Sequence, residues 1–231
     1  VETSGKSLEE DSSVGAFGDF NDFDTSGQVS YDDVVQGYDT TFTHRQYVSG
    51  FKVERKLFDD DLYNIMNRKP RGLGISAART REKHAASVFN NAFTSTGATN
   101  IQTGGDAQFL CDSDHPSNAV TTVQSNTGTT ALSATSVEAT RRLMVAFTDD
   151  KDNKISVNPD LILCPRNLEE SAWTIIATKG EVNSAQNNAN FHYGKYKLGV
   201  WDNLTDSNNW FFIDSQLMKL FLMWFDRIPL E

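Results

Sequence analysis

The sequence predicts an α+β protein, in which helices and strands occupy separate stretches of the chain. One observation is the helical pattern of Ser76–Phe93, where apolar residues recur at spacings of three, four and seven. A second is the stretch 28–53, which is dominated by the β-branched and aromatic residues typical of strands. The third is the order of elements in the second half, which ends in three consecutive strands rather than in βαβ units.

The chain has 231 residues, of which 38% are apolar, enough for a hydrophobic core in one large domain or two smaller ones. Cys111 and Cys164 are too few for a disulfide framework, and we interpret both as buried reduced thiols. No run of ~18 apolar residues occurs, so no membrane span is predicted. Because the numbering begins at Val1 rather than at a methionine, we expect the sequence to be a piece of a longer chain.

The net charge of −10 argues against a dedicated nucleic-acid binder, but this charge is unevenly distributed. Residues 1–39 contain ten acidic residues and one lysine, whereas residues 52–84 contain nine basic residues and five acidic ones. A solvated helix face explains the basic stretch. Contact with phosphate or with an acidic neighbour is the alternative.

The first fifty residues are interpreted as an arm followed by a hairpin. Residues 1–23 are acidic and rich in Ser and Gly, which is typical of an extended arm that is ordered only by a partner. In the stretch 28–53 only Gly37 and Gly50 interrupt the strand-forming residues, which predicts a long hairpin. Such a hairpin would be only marginally stable by itself, so we expect it to lie on another element.

The next segment begins as a predicted strand, since Phe51 and Val53 alternate with charged residues. It continues as a helical piece over Asp59–Asn67 and then as the helix of Ser76–Phe93. We expect a break or kink at Pro70 between them, because proline lacks the amide hydrogen that a helix interior uses.

The second half contains two predicted helices, each opened by a capping box. Thr135 with Glu138, and Asn167 with Glu170, have the spacing of N-cap and N3 residues. The first helix has an apolar face formed by Ala139, Leu143, Ala146 and Phe147. The predicted strands of this region and of the segment before it are Ala107–Cys111, Leu161–Cys164, Tyr196–Trp201, Trp210–Ile213 and Leu217–Phe225, with a turn at Asp112–Ser117.

The sharpest motif is a calcium-loop pattern from Asp22 to Asp33. The oxygen-bearing residues at positions one, three, five, nine and twelve of an EF-hand loop are Asp22, Asp24, Ser26, Ser30 and Asp33. Gly27 and Val29 occupy the sixth and eighth positions, as the motif requires. However, glycines before and after the loop weaken the two helices that should flank it. The pattern predicts a turn leading into a strand, with calcium binding as the alternative.

Other short motifs are weaker. Gly72, Gly74 and Ala77 have the spacing of a dinucleotide-binding fingerprint, but no buried strand precedes them. Cys111 and His115 form the one close Cys–His pair, which is more typical of a turn than of a metal site. We therefore predict no catalytic, cofactor-binding or metal-ligating residues, and no cofactor.

Four segments together suggest a family. They are FKVERKLFDDDLYNIMNRKPRGLGISAARTREKHAASVFNNAF (Phe51–Phe93), DSDHPS (Asp112–Ser117), LSATSVEATRRLMVAFTDDKDNKISVNPDLILCP (Leu132–Pro165) and NWFFID (Asn209–Asp214). In this order they resemble the Mu-like major head subunit family, the major capsid proteins of tailed bacteriophages. The acidic N-terminal region with its calcium-loop pattern has no counterpart in this resemblance.

The resemblance implies the Hong Kong 97-type capsid fold, an α+β fold with an arm, an extended loop, a peripheral domain with a long spine helix, and an axial domain. On this sequence the resemblance gives the following divisions: arm 1–27, extended loop hairpin 28–50, peripheral domain 51–117, axial domain 118–213, and a return to the peripheral domain over 214–231.

The resemblance also implies a structural role without catalysis. Many copies, as hexamers and pentamers, would tile an icosahedral shell around double-stranded DNA, with scaffold, portal or decoration proteins as further partners and no membrane. The expected location is the virion, after synthesis in the host bacterial cytoplasm. The opposite charges of residues 1–39 and of the helix carrying Arg79 and Arg81 suggest that one subunit's arm lies on another's spine. The alternative function is a calcium-binding module at Asp22–Asp33.

Overall fold

The structure is a computed structural model that describes residues 2–20, 22–23, 27, 29, 31–60, 64–94, 105–118, 120, 122–180 and 188–228. The strands are β1 (Glu2–Thr3), β2 (Leu8–Val14), β3 (Gln36–Thr43), β4 (Leu161–Cys164), β5 (Lys197–Val200), β6 (Phe211–Ile213) and β7 (Phe225–Asp226). The helices are α1 (Arg55–Asp59), α2 (Ile65–Asn90), α3 (Ala134–Val145), α4 (Glu169–Ala177) and α5 (Ser215–Phe221).

Strands β2 and β3 form an antiparallel pair that opposes Leu8 to Thr43 and has an irregularity after Ser12. The prediction that residues 1–23 form an arm ordered only by a partner is therefore wrong for β2. The hairpin predicted within 28–53 likewise takes its first strand from the acidic segment. Side chains reinforce the pairing, since Ser12 Oγ donates to Asp39 Oδ1 at 2.5 Å. Long-range pairing with the Thr-rich β3 outweighs the poor strand propensity of the LEEDSSV sequence.

Helix α2 is continuous over 26 residues, roughly 39 Å at ~1.5 Å per residue. The predicted helix over Ser76–Phe93 is confirmed up to Asn90, but the predicted break at Pro70 is wrong. Pro70 lies in the second turn, where proline costs helical stability without ending the helix. The buried residues of α2 are Ala86 and Phe89, so its attachment to the core lies in its last turns.

The segment before α2 differs from its prediction. Residues 51–54 form no strand, and the short helix α1 follows them directly. Phe51 and Val53 are both exposed, so no sheet buries the alternating pattern. The helix predicted over Asp59–Asn67 is present only at its two ends among the described residues.

Replacing Pro70 with alanine is expected to stabilise the first half of α2. Alanine restores an amide hydrogen and removes a ring that crowds the preceding turn, a difference of up to ~3 kcal/mol within a helix. Hydrogen exchange measured by mass spectrometry should show slower exchange of the peptides that cover residues 66–76. Thr80→Ala, on an exposed part of the same helix, is the matched control and should leave those peptides unchanged. Equal exchange in Pro70→Ala and the native protein would contradict this assignment.

The core lies on both faces of a three-stranded sheet in the order β5-β4-β6. Strand β4 is central, parallel to β5 and antiparallel to β6. Because successive side chains of a strand point to opposite faces, Ile162 and Leu163 belong to different clusters. Ile162 packs with Val137 of α3 and Ile175 of α4. Leu163 belongs to the second cluster, whose buried members are Phe89, Ala92, Leu163, Leu204 and Phe211.

The predicted strands over Leu161–Cys164, Tyr196–Trp201 and Trp210–Ile213 are confirmed as β4, β5 and β6. The strand predicted over Leu217–Phe225 is wrong, because α5 occupies most of it and only its last residue belongs to β7. The helix forms because the Asp214 side chain accepts hydrogen bonds from two amides of its first turn. Strand β7 then pairs in parallel with β1.

Both predicted capping boxes are wrong, although α3 and α4 are present. Helix α3 begins two residues earlier, where Ser133 and Ser136 cap each other reciprocally. Helix α4 follows a 3-10 turn over Arg166–Leu168 and has no side-chain cap. The predicted inner face of α3 is also misplaced, because Ala139, Leu143 and Ala146 are exposed while Ser136 and Val137 are buried.

The stretch before α3 is irregular where it is described. Residues 107–111 form no strand, and the predicted strand Ala107–Cys111 is wrong. The Cys111 amide instead donates to the carbonyl of Ala92 at 2.8 Å, which holds this stretch against the end of α2. The predicted turn at Asp112–Ser117 is confirmed at its start, where Asp112 Oδ1 accepts the Ser113 amide at 2.6 Å. Among the helices of the described ranges, none is long and apolar enough to cross a membrane.

Candidate assembly surfaces

The connection between β2 and β3 carries large apolar side chains into solvent. Its exposed residues, called here the hairpin tip, are Phe17, Phe20, Phe23, Val29 and Tyr31. Phe20 is fully exposed and Tyr31 is 92% exposed. Exposed apolar surface of this kind marks sites of protein association, because leaving it in water is unfavourable.

The base of the hairpin tip is fastened to the turn that follows α3. The Ala16 amide donates to Asp150 Oδ1 at 2.9 Å. Lys151 Nζ donates to Asp32 Oδ1 at 2.6 Å, and the Gly18 amide donates to Asp32 Oδ2 at 2.7 Å. These two donors, Lys151 first, hold the pKa of the Asp32 carboxyl below its ordinary value. These hydrogen bonds therefore hold the base of the hairpin tip in a defined position.

Further apolar side chains are exposed on the helices around the sheet. They include Leu143 on α3, Trp173 on α4, and Leu220 and Phe221 on α5. Phe221 is 77% exposed at the last residue of α5, whereas the N-cap residue of that helix, Asp214, is buried. A protein that acts alone would gain nothing from this exposure, so these helices also suggest contacts with other molecules.

A junction in the second half of α2 joins both ends of the described chain to the helix. Arg81 Nη2 donates to Asp226 Oδ2 at 2.7 Å, and its guanidinium lies 5.4 Å from the Trp224 ring. The His84 ring lies 5.3 Å from the same indole. Burial, with a smaller contribution from the charge of Arg45, lowers the pKa of His84. The junction holds β7, and through it β1, on the helix.

Residues 37–224 match the family model described as phage capsid protein. The chain belongs to the phage capsid protein family. It is therefore a structural capsid protein, and the exposed apolar surfaces belong to a chain whose family builds shells.

Two solved structures share the fold of this capsid protein. One is the capsid of bacteriophage JBD30 decorated with minor capsid protein trimers, with a TM-score of 0.71, 13% identity, and 88% of each chain covered. The other is the bacteriophage JBD30 capsid, with a TM-score of 0.71, 13% identity, and 89% of each chain covered. At this identity the likeness shows the fold alone, and it confirms the predicted α+β capsid fold. No curated protein matches the sequence at a significant level.

In the described part of the chain, the calcium-loop pattern of the capsid protein is not flanked by the two helices of an EF-hand. Strands β2 and β3 flank it, and no helix occurs among the described residues before α1. Asp24, Ser26 and Ser30 lie outside the described residues. Asp33 Oδ1 accepts the amide of Val34 at 2.9 Å, a local turn contact. In the part of the chain that the structure describes, no group of three His, Cys, Asp or Glu residues is arranged to hold a metal ion.

The other short motifs serve structural contacts in the capsid protein. Gly72 and Gly74 lie inside α2 rather than in a strand-to-helix turn, so no dinucleotide fingerprint forms. His115 Nδ1 lies 2.7 Å from Asp106 Oδ2, an ion pair when the ring is protonated. Burial raises the pKa of Cys111 to about 11, which keeps its thiol protonated and unreactive.

Sequence reasoning missed the hairpin tip of the capsid protein. The signal was present as Phe17, Phe20 and Phe23, three aromatic residues at regular spacing within an acidic, glycine-containing segment. The calcium-loop pattern instead led to an interpretation of this segment through its carboxylates. Aromatic side chains in a segment with little core of its own indicate a contact with another molecule.

The ion cluster on α3 predicts an acid-sensitive contribution to stability. Glu138 accepts two hydrogen bonds from Arg141 and one from Arg142, at 2.8–2.9 Å. These contacts, Arg141 first, lower the pKa of Glu138 to about 2 from its ordinary 4.5. Because the folded pKa is the lower one, the stabilisation is present above about pH 4.5 and is lost as pH falls towards about 2.

Glu138→Gln is accordingly expected to lower the melting temperature at pH 7 but not near pH 2, with a loss on the order of 1 kcal/mol. Differential scanning fluorimetry across this pH range measures the difference between variant and native protein. Arg142→Gln removes the more exposed donor and is the matched control, with a smaller effect. A difference that stays constant from pH 7 to pH 2 would show that Glu138 acts through packing alone.

Proposed function

We propose that many copies of this chain assemble into a closed icosahedral shell around the double-stranded DNA of a tailed phage, without catalysing a reaction. The observation that carries the proposal is the hairpin tip, which is fastened at its base and exposes aromatic side chains on a member of the phage capsid family. Coverage by neighbouring copies would remove this surface from water. The chain would be made in the host cytoplasm and would end in the virion.

The domain divisions belong to the same proposal. Residues 1–27 would be the arm, 28–50 the extended loop, 51–117 the peripheral domain, 118–213 the axial domain, and 214–231 the return. The pairing of β2 with β3 supports treating the arm and the loop as one projecting unit. Hexamers and pentamers would form from the axial domains, with scaffold, portal or decoration proteins as further partners. The JBD30 capsid, for comparison, is decorated with minor capsid protein trimers.

Assembly is tested by expressing the full chain and measuring its mass by size-exclusion chromatography with light scattering. Rings or shells in negative-stain micrographs are the expected result. A chain that stays monomeric at high concentration, with a native melting transition, would overturn the proposal. The melting transition matters because it separates a folded monomer from a misfolded one.

The proposed contact between the acidic N-terminal region and a neighbour's α2 is tested with an arginine that makes no ion pair with the described residues of its own chain. Arg81 is bound to Asp226 of its own chain, so reversing its charge would disturb the fold as well as an interface. Arg79 is exposed and has no ion pair among the residues described. Arg79→Glu is therefore expected to slow assembly at low salt, with Thr80→Ala as the uncharged control. Unchanged assembly kinetics by light scattering would remove this contact from the proposal.

A further inference from the structure

A pocket of about 250 Å³ lies where α3 meets the segment before β5. Its lining includes Arg141 and Val145 of α3, Asp160 before β4, and Phe191, Lys195 and Tyr196, and we call it the α3 pocket. It lies apart from the hairpin tip. Nothing in the shell-forming role described so far uses it.

The α3 pocket carries excess positive charge. Glu138 is shared by Arg141 and Arg142, so these three side chains retain one positive charge between them. Asp160 is balanced by Lys197, whose Nζ lies 3.3 Å from its carboxylate. Lys195 adds a second positive charge, and no carboxylate of the described residues lies within ion-pair distance of it. Two unbalanced positive charges at one recess favour the binding of an anion there.

Lys195 is held in place by an aromatic ring rather than by an acid. Its Nζ lies 3.0 Å from the centroid of the Phe191 ring, a cation–π contact. The guanidinium of Arg141 lies 5.5 Å from the same ring. One phenyl ring thus positions both cations beside the pocket. A cation–π contact leaves the ammonium hydrogens that point away from the ring available to an acceptor.

Two buried polar groups behind the pocket lining lack hydrogen-bond partners among the described residues. Tyr196 is 8% exposed, and its phenol oxygen has no hydrogen-bond partner among the described residues. His192 is 5% exposed, its Nδ1 also has none there, and its ring lies 5.7 Å from the Tyr196 ring. Such groups are rare in folded proteins, because each costs free energy unless it is satisfied. Burial raises the pKa of Tyr196, so the phenol remains a neutral donor.

We propose that the α3 pocket binds a carboxylate side chain presented by a second copy of this chain, with Lys195 and Arg141 as its donors. The inference rests on the proposed assembly into a shell. Charge complementarity favours this occupant, since the chain has a net charge of −10 and most of that excess lies in residues 1–39. A DNA duplex fits less well, because its backbone is convex and needs a row of cations, whereas this recess has two unbalanced ones.

Zero-length crosslinking of assembled shells tests the proposal directly. A carbodiimide joins an amine only to a carboxylate in contact with it, and shells assembled from mixed unlabelled and nitrogen-15-labelled copies show which crosslinks join two chains. Mixed-isotope peptides that contain Lys195 are expected from mass spectrometry. The pair Lys197–Asp160, at 3.3 Å within one chain, is the internal positive control.

Each outcome of the crosslinking either supports the carboxylate proposal or overturns it. If shells form and the Lys197–Asp160 crosslink appears, but Lys195 stays unlinked or links only within one chain, the carboxylate proposal fails while the shell stands. If Lys195 is shielded from acetylation only in DNA-filled shells and not in empty ones, phosphate is the occupant and the proposal fails. If no shells form, the proposed function fails and this inference fails with it.

Matched variants give a second readout. Lys195→Gln should raise the protein concentration needed for assembly about tenfold. The melting temperature of the unassembled protein should fall only by the small loss of the Lys195–Phe191 contact. Lys154→Gln removes the same charge from an exposed site outside the pocket lining and should leave that concentration unchanged. Equal effects of the two variants would show that general charge, rather than the α3 pocket, controls assembly.

Discussion

Phe89→Ala is expected to destabilise the folded protein by about 3–5 kcal/mol. Phe89 lies in the last turn of α2 and is 7% exposed. Its ring centroid lies 5.2 Å from that of Phe211 on β6 and 6.0 Å from that of Trp201. Removing this ring leaves a cavity at the place where the long helix meets the sheet. The loss therefore combines apolar transfer, aromatic contacts and the cavity itself.

Urea unfolding followed by tryptophan fluorescence measures the effect, because Trp201 lies beside the deleted ring. Phe221→Ala is the matched control. It removes the same side chain from a 77% exposed site and should cost less than about 1 kcal/mol. Similar midpoints for the two variants would mean that α2 is not anchored through Phe89.

Asp214→Ala is expected to cost about 3 kcal/mol. One oxygen of this carboxylate accepts the amides of Gln216 at 3.0 Å and Leu217 at 3.2 Å, which starts α5. The other oxygen accepts the amide of Asn158 at 2.8 Å. Asp214 is 9% exposed, so alanine would leave three amides without their acceptor in a partly buried site. Loss of the N-cap alone accounts for about 1 kcal/mol of this.

The measurement is chemical unfolding, with circular dichroism reporting the helix. Asp214→Asn keeps an acceptor oxygen of the same shape and should lose less than half as much. Asp206→Ala removes an exposed carboxylate that accepts a single amide, that of Asn208, and is the local control. If Asp214→Ala and Asp206→Ala were equally mild, the α5 start would depend on packing instead.

The central sheet could be predicted because its signals are local. Strand β4 is a short apolar run stopped by Pro165, and β5 and β6 are bounded by polar turns. The pairing of β2 with β3 could not be predicted in this way. It joins segments some twenty residues apart, and the LEEDSSV sequence of β2 carries no alternation of its own. Partner strands decide such pairings, and intrinsic propensity does not.

The prediction for Leu217–Phe225 was wrong for a different reason, because here a strong local pattern indicated the wrong element. These residues are strongly apolar and were predicted as a strand, yet one aspartate before them starts a helix. Capping at Asp214 outweighs β propensity here, because the cap satisfies amides that a short strand would leave for a partner. Apolar residues on α5 such as Leu220 then remain exposed, and this exposure has meaning only for an assembly.

The surfaces proposed for assembly were the least predictable part. Arg141 and Lys195 lie far apart in sequence, and no local pattern indicates that they share a recess with Tyr196. The hairpin tip is visible in sequence only as aromatic residues in an unfavourable setting. The proposed partners of the α3 pocket and of the hairpin tip lie in other copies of the chain. A prediction based on the core of one chain therefore does not include them.

The pairing of β1 with β7 has a consequence for the order of events during synthesis. The Glu2 amide donates to the carbonyl of Trp224 at 2.8 Å, and the Ser4 amide donates to that of Asp226 at 3.1 Å. Closing a loop of this length costs about 5 kcal/mol of chain entropy, which the sheet and α2 must offset by folding first. On the ribosome, Glu2 and Ser4 are therefore made well before their partners and are among the last residues of the described chain to dock. In a nascent chain β1 stays unpaired until Asp226 has emerged, which delays the finished subunit until translation has passed that point.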